Sequence, residues 1–401
     1  MWNRKIVCCL FLAVTVGFSA CAEFDNERDF YVRRLDGNTV EITGYIGNDQ
    51  DVNIPPRIGR RTVVGIGGQA FRGMGLTSVS IPDSVIYIGW GAFENNQLTD
   101  VTIPDNVTTI RGNAFLRNQL TNLIIPNSVT TIETAAFGVN QLTNLTIPDS
   151  VTLIGREAFV FNQLTSITIP DSVTVIGELA FRGNQLTSII IPDSVIEIGA
   201  GAFTENQLTS VIIGRGVTVM EGNHFVGGAF EGNQITSVTI SNGVTVIGER
   251  AFRNNQLTNI IIPESVISIS FRAFEDNLLT NVTIPNSVTE IKAFAFAENR
   301  LTSVTIGNSV TSIGNGAFRD NLLTRVTIPD SVREIGGQAF RDNLLTQITL
   351  GENVRFGRDG REDYSASPFN FHFMSFYRDQ GRRAGIYTMG SQRYFWNVQF
   401  R

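Results

Sequence analysis

Phenylalanine recurs every 22 residues at Phe71, Phe93, Phe115, Phe137, Phe159, Phe181 and Phe203, and again at Phe230, Phe252, Phe274, Phe296, Phe318 and Phe340. This spacing is the feature that most limits the fold. A unit so short cannot bury its apolar side chains by itself, whereas stacked copies cover one another. A chain of 401 residues would otherwise suggest two or three globular domains. The repeat predicts instead a single solenoid with thirteen rungs. One interval is irregular: Phe203 to Phe230 carries five extra residues, placing an insertion at 220–228.

One unit, starting at Leu98, reads LTDVTIPDNVTTIRGNAFLRNQ. Val101, Thr102 and Ile103 alternate with a period of two, the pattern of a short strand with two side chains inward. Pro104 cannot donate to a ladder and ends that strand. Asp105 and Asn106 form a turn, and Val107 to Ile110 is extended again. Glycine before Ala114 permits a tight corner, and Phe115 fills the interior opposite the strand. The expected fold is mainly β within the α/β class. Stacked 22-residue repeats form a parallel sheet, with short turns or helical turns on the opposite side. A second column is asparagine, from Asn96 and Asn118 through Asn343. It predicts a buried ladder of side-chain amides that satisfies backbone groups at a corner.

The pattern L-x-x-V-x-I-P-x-x-V-x-x-I-G-x-x-A-F, present as LTRVTIPDSVREIGGQAF near the end of the array, resembles the BspA-like, or Treponema pallidum-type, leucine-rich repeat. The resemblance spans roughly residues 63–350. This chain uses Asn where many relatives carry Cys. DGNTVEITGYIG with VNIP resembles the family's opening hairpin, and GRRAGIYTMGSQRYFWNV its aromatic closing segment. The implied organisation is a hairpin cap over 23–65, thirteen leucine-rich repeats over 66–350, and an aromatic cap over 351–401. The resemblance implies a bacterial surface protein that adheres to host matrix proteins or to other bacterial surfaces.

Residues 1–22 read as a signal peptide. Arg4 and Lys5 are followed by the apolar run Ile6 to Phe18 and the small residues Ser19, Ala20, Cys21 and Ala22. Two processing routes stay open: cleavage after Ala22, or lipidation of Cys21. Both predict an extracytoplasmic protein, at the cell surface or secreted, whose only membrane contact is a lipid anchor. The net charge of −6 offers no concentrated positive field for nucleic acid. Cys8 and Cys9 lie in the leader, so no disulfide or cysteine metal site is expected in the mature chain. No P-loop, G-x-S-x-G, H-E-x-x-H or dinucleotide fingerprint is present, and the two histidines, His224 and His372, are far apart. Neither catalysis nor a cofactor is expected.

Two surfaces are candidates for binding. The outward residues of the first strand include Asp100, Thr102, Asn122, Asn144, Thr146, Ser166, Thr168, Ser188, Ser210, Arg325 and Gln347. Solenoids use such faces for extended contacts, although this one lacks the aromatic anchors of tight interfaces. The second is the insertion, with Glu221, Asn223, His224 and Phe225, since loops on rigid scaffolds often carry function. The consecutive Asp149, Asp171 and Asp193 read as separate turn caps, with a bridging calcium as the alternative.

Overall fold

The computed structural model describes residues 24–352, 354–356, 369, 373, 376–377, 379–381, 383–390 and 396–400. The signal segment and Cys21 lie outside the described residues. The fold comprises two compact units, divided between Val151 and Thr152.

The first unit opens with strand Phe30–Arg34 antiparallel to Thr39–Tyr45, with a bulge between Tyr31 and Val32. Thr39–Tyr45 then pairs in parallel with Arg61–Ile66. From there Tyr87–Ile88, Thr109–Ile110 and Thr131–Ile132 follow in parallel, with Ile66, Ile88, Ile110 and Ile132 in one row. The rings of Phe71, Phe93, Phe115 and Phe137 stack at 5.1–5.4 Å, within 11° of parallel. Tyr45 closes the column at 5.7 Å from Phe71. The repeat spacing places every Phe at the same point of its turn, so each ring covers the next and all become fully buried.

The second unit repeats this plan from Leu153–Ile154 to Arg355–Phe356. Its aromatic column runs from Phe159 to Phe340 and ends on Phe369, 5.3 Å away and tilted by 4°. Phe373, Tyr387 and Trp396 then meet edge to face. The last strands, Gly385–Met389 and Trp396–Phe400, are antiparallel, and Gly385–Met389 also pairs antiparallel with Gln347–Leu350.

The fold is the expected parallel solenoid, but its most continuous ladder is the second extended segment of each repeat. The segment expected to be the main strand, Val101–Thr102–Ile103, makes only a single bridge, from Thr102 to Ile124. The physical reason is the proline that follows it. Pro82, Pro104, Pro126 and Pro148 succeed one another in the first unit, and none has an N–H to donate. In the second unit Gly214 and Ser241 replace proline. Their N–H groups donate to Ile191 O (2.9 Å) and Ile213 O (3.1 Å). The strands there lengthen to four residues: Ser188–Ile191, Ser210–Ile213 and Ser237–Ile240.

The side carrying Phe is built from turns that are themselves laddered. Gly91, Phe93 and Asn95 donate to the carbonyls of Gly112, Ala114 and Leu116 at 2.8–2.9 Å, while Ala92 and Glu94 bond three residues back. Aiming alternate N–H groups along the stack requires left-handed backbone at two positions per turn. Non-glycine residues adopt it, including Asn95, Arg117, Val139, Phe161 and Leu179. Each such residue costs about 1–2 kcal/mol, offset by the inter-rung bonds.

The asparagine ladder forms as expected. Asn118 Oδ1 accepts from Leu98 N (3.1 Å), and its Nδ2 donates to Phe93 O (2.9 Å) and Phe115 O (3.2 Å). The same pattern runs through the second unit, for example at Asn277.

Candidate functional site

The outward face is rigid at its edge. Thr209 Oγ1 donates to Thr187 O (3.2 Å), and Thr236 Oγ1 to Thr209 O (3.3 Å). Next to this row Asp100, Thr102, Asn122, Asn144 and Thr146 are exposed in the first unit, as are Ser166, Thr168, Ser188, Ser210 and Arg325 in the second. Gln347 is half-buried, because the antiparallel strand Gly385–Met389 sets Thr388 opposite it.

The threonine column of this face is interrupted by exposed isoleucines, which the candidate binding residues read from the sequence did not include. Ile190, Ile212 and Ile261 are 63%, 44% and 79% exposed, with Thr239 between the last two. The signal was present as three isoleucines on four consecutive rungs. A shallow hollow of about 590 Å³ adjoins them, lined by Arg215, Ile240, Ser241, Asn242, Ile261 and Pro263. A smaller hollow of about 440 Å³ lies beside Thr305, Asn308, Thr327 and Pro329. Both occur where proline is replaced, by Gly214 and Ser241 in one case and by Gly307 in the other. Loss of the pyrrolidine ring leaves the space.

The insertion is a small hairpin. Gly222–Asn223 pairs antiparallel with Gly227–Gly228. Asn223 Oδ1 accepts from the N–H groups of Phe225 and Val226, each at 2.9 Å, which closes the tip. Arg250 Nη1 donates to His224 O (3.2 Å), and Gly228 N to Glu231 Oε2 (3.1 Å). The root lies so close to the next rung that a Cβ on Gly222 would sit 1.8 Å from Glu249 O. Phe225 projects from this frame 93% exposed. Burial, followed by the charges of Glu197 and Glu178, pushes the Glu221 carboxyl above its ordinary value.

Carboxylates after the proline position act as caps between rungs. Asp193 Oδ1 accepts from Arg215 N (2.7 Å), and Asp330 Oδ1 from Glu352 N (3.1 Å). Among the described residues no group of three or more His, Cys, Asp or Glu is arranged to hold a metal ion. Ion pairs instead link successive turns: Arg253 contacts Glu231 at 2.8 Å and Glu275 at 2.5 Å. No helix of the described residues is long and apolar enough to cross a membrane.

Among curated proteins none matches this chain. Solved structures do. A leucine-rich repeat protein from Bacteroides ovatus is 24% identical over 82% of this chain and 88% of that one, with a TM-score of 0.59. A leucine rich cell surface protein from Faecalibacterium prausnitzii is 29% identical over 84% and 90%, with a TM-score of 0.54. The pneumococcal vaccine antigen PcpA shares the fold at 22% identity over 81% and 80%, with a TM-score of 0.51. The family described as BspA type leucine rich repeat region matches in six copies, over residues 51–164, 152–227 and 227–349. Built on that repeat through most of its length, the chain is a member of the BspA-type leucine-rich-repeat family.

Proposed function

We propose that this chain is an exported bacterial surface scaffold that binds other proteins, either host matrix proteins or proteins of neighbouring bacteria. The observation that carries this reading is the outward face, where exposed side chains stand in register on hydrogen-bonded rungs and exposed isoleucines interrupt the polar columns. Membership of the family and likeness to a leucine rich cell surface protein support a surface location. The short, largely neutral side chains favour many weak contacts strengthened by repetition. Export follows from the leader-like segment 1–22, and lipidation of Cys21 would hold the chain at the membrane. A binding face requires no cofactor and no catalytic group.

Solid-phase binding to immobilised matrix proteins tests the reading. Saturable binding that weakens in Thr168→Arg and Ile190→Glu, with unchanged thermal melts, is the expected result. Binding that is absent, or indifferent to both substitutions, would favour a spacer without a dedicated ligand. Intact mass of the membrane-fractionated protein separates an acylated Cys21 from a chain that begins at Glu23.

A further inference from the structure

Three departures from the repeat fall in one unit, the one that starts at Leu208. Gly214 stands in the place of proline. Arg215 occupies a column in which every other rung carries Asp, Asn or Glu. The five-residue insertion follows. Stacking does not require them, since the preceding unit, which starts at Leu186, packs with Pro192, Asp193 and no insertion. Together they create a hole and a knob. The hole is the hollow of about 590 Å³, walled by Ile240, Ile261 and Pro263 with Arg215 at its side. The knob is Phe225, 93% exposed on a hairpin whose tip is already closed by Asn223.

We infer that Phe225 of one copy seats in the hollow beside Arg215 of a second copy, so that the chain associates with itself head to tail. Shape and charge both support this occupant. The hollow exposes Ile261 at 79% and lacks an apolar cover, and it has room for a phenyl ring. The hairpin is pre-formed, so seating it loses little conformational entropy. Glu221 at the root of the knob carries the charge that Arg215 beside the hole would meet. Burial, then crowding by Glu197 and Glu178, already disfavours that carboxylate in a single copy, and a guanidinium would offset the charge crowding. Within a single copy Phe225 is 93% exposed, so the knob does not fill its own chain's hole. The two surfaces differ, so the contact is heterologous, and one pairing leaves a free knob and a free hole to continue the array.

Sedimentation velocity on the full chain over a wide concentration range tests this. The expected result is growth past the dimer as concentration rises. Phe225→Ser and Ile261→Asp should each weaken association about tenfold or more. Both side chains are exposed, so thermal melts should be unchanged. Mixing the two variants is the decisive arm: the intact knob of Ile261→Asp fits the intact hole of Phe225→Ser, and assembly stops at one-to-one dimers. A native chain that stays monomeric throughout overturns the proposal. So does association that neither substitution weakens, or a mixture that forms no dimer. A monomeric chain whose binding to a matrix protein requires Phe225 would assign the knob to a foreign partner, also overturning it. Loss of matrix binding with self-association intact would count against the proposed function alone.

Discussion

Asn206 offers the sharpest test of what holds the stack together. It is 7% exposed. Its Oδ1 accepts from Leu186 N at 3.0 Å, and its Nδ2 donates to the carbonyls of Phe181 (2.9 Å), Phe203 (3.2 Å) and Thr204 (3.2 Å). Asn206→Ala removes all four bonds, but the loss is unequal. Phe181 O retains Asn184 Nδ2, Phe203 O retains Asn233 Nδ2, and Thr204 O retains the N–H of Gly183. Only the Leu186 N–H is orphaned. One buried unsatisfied donor, with some weakening at the carbonyls, gives a loss of about 2–3 kcal/mol. Amide exchange at Leu186 should then accelerate about 30- to 150-fold, measured by hydrogen–deuterium exchange. Asn206→Asp keeps the acceptor for Leu186 but turns a carboxylate toward three carbonyls. Its folded-state pKa should rise above the unfolded value, so stability should fall as pH rises from about 4. At lower pH the protonated acid donates again and the loss shrinks. Unchanged exchange at Leu186 in the alanine variant, or full stability of the aspartate variant at neutral pH, would mean that the side-chain amide does not hold the rungs together.

Val139 adopts left-handed backbone with φ of 54°. Val139→Gly should stabilise by about 0.5–1 kcal/mol, the relief of strain less the added unfolded-state entropy, read as a higher urea midpoint. Arg253 bridges Glu231 and Glu275, and Glu275 is 4% exposed. Arg253→Leu should destabilise by about 2–4 kcal/mol, because a buried carboxylate loses a partner, while Arg272 at 3.2 Å moderates the loss. Burial, then the charges of Asp25 and Asp49, push the Tyr45 hydroxyl up to about 12 from 10.0. A raised tyrosine pKa means stability is full below pH 10 and lost as pH rises toward 12. Tyr45→Phe should therefore flatten the alkaline limb of a stability–pH curve.

Much of the architecture was legible because the repeat leaves few choices. Phe115 and Asn118 could be placed in the interior from spacing alone, and the alternation through Val101, Thr102 and Ile103 identified the outward side chains. The candidate surfaces were legible only as positions. Nothing in the sequence announced that Ser241 and Gly214 would open a hollow, since that depends on what a missing proline ring leaves beside Ile261. Nor could spacing reveal that Asn223 closes the tip of the insertion and presents Phe225 to solvent.

Period, stacking and the identity of the inward-facing residues are already written in the amino-acid pattern. A 22-residue unit with this pattern has no other way to bury its Phe, Leu, Val and Ile. Tertiary structure decided the backbone of the turns and which segment carries the continuous ladder. Val139 and Phe161 disfavour a positive φ locally, and Val101 to Ile103 has better strand residues than the turn. Yet the hydrogen-bond partners of both segments lie on adjacent rungs, 21–23 residues away in the regular turns. Satisfying those buried N–H and C=O groups outweighs the local preference at each turn.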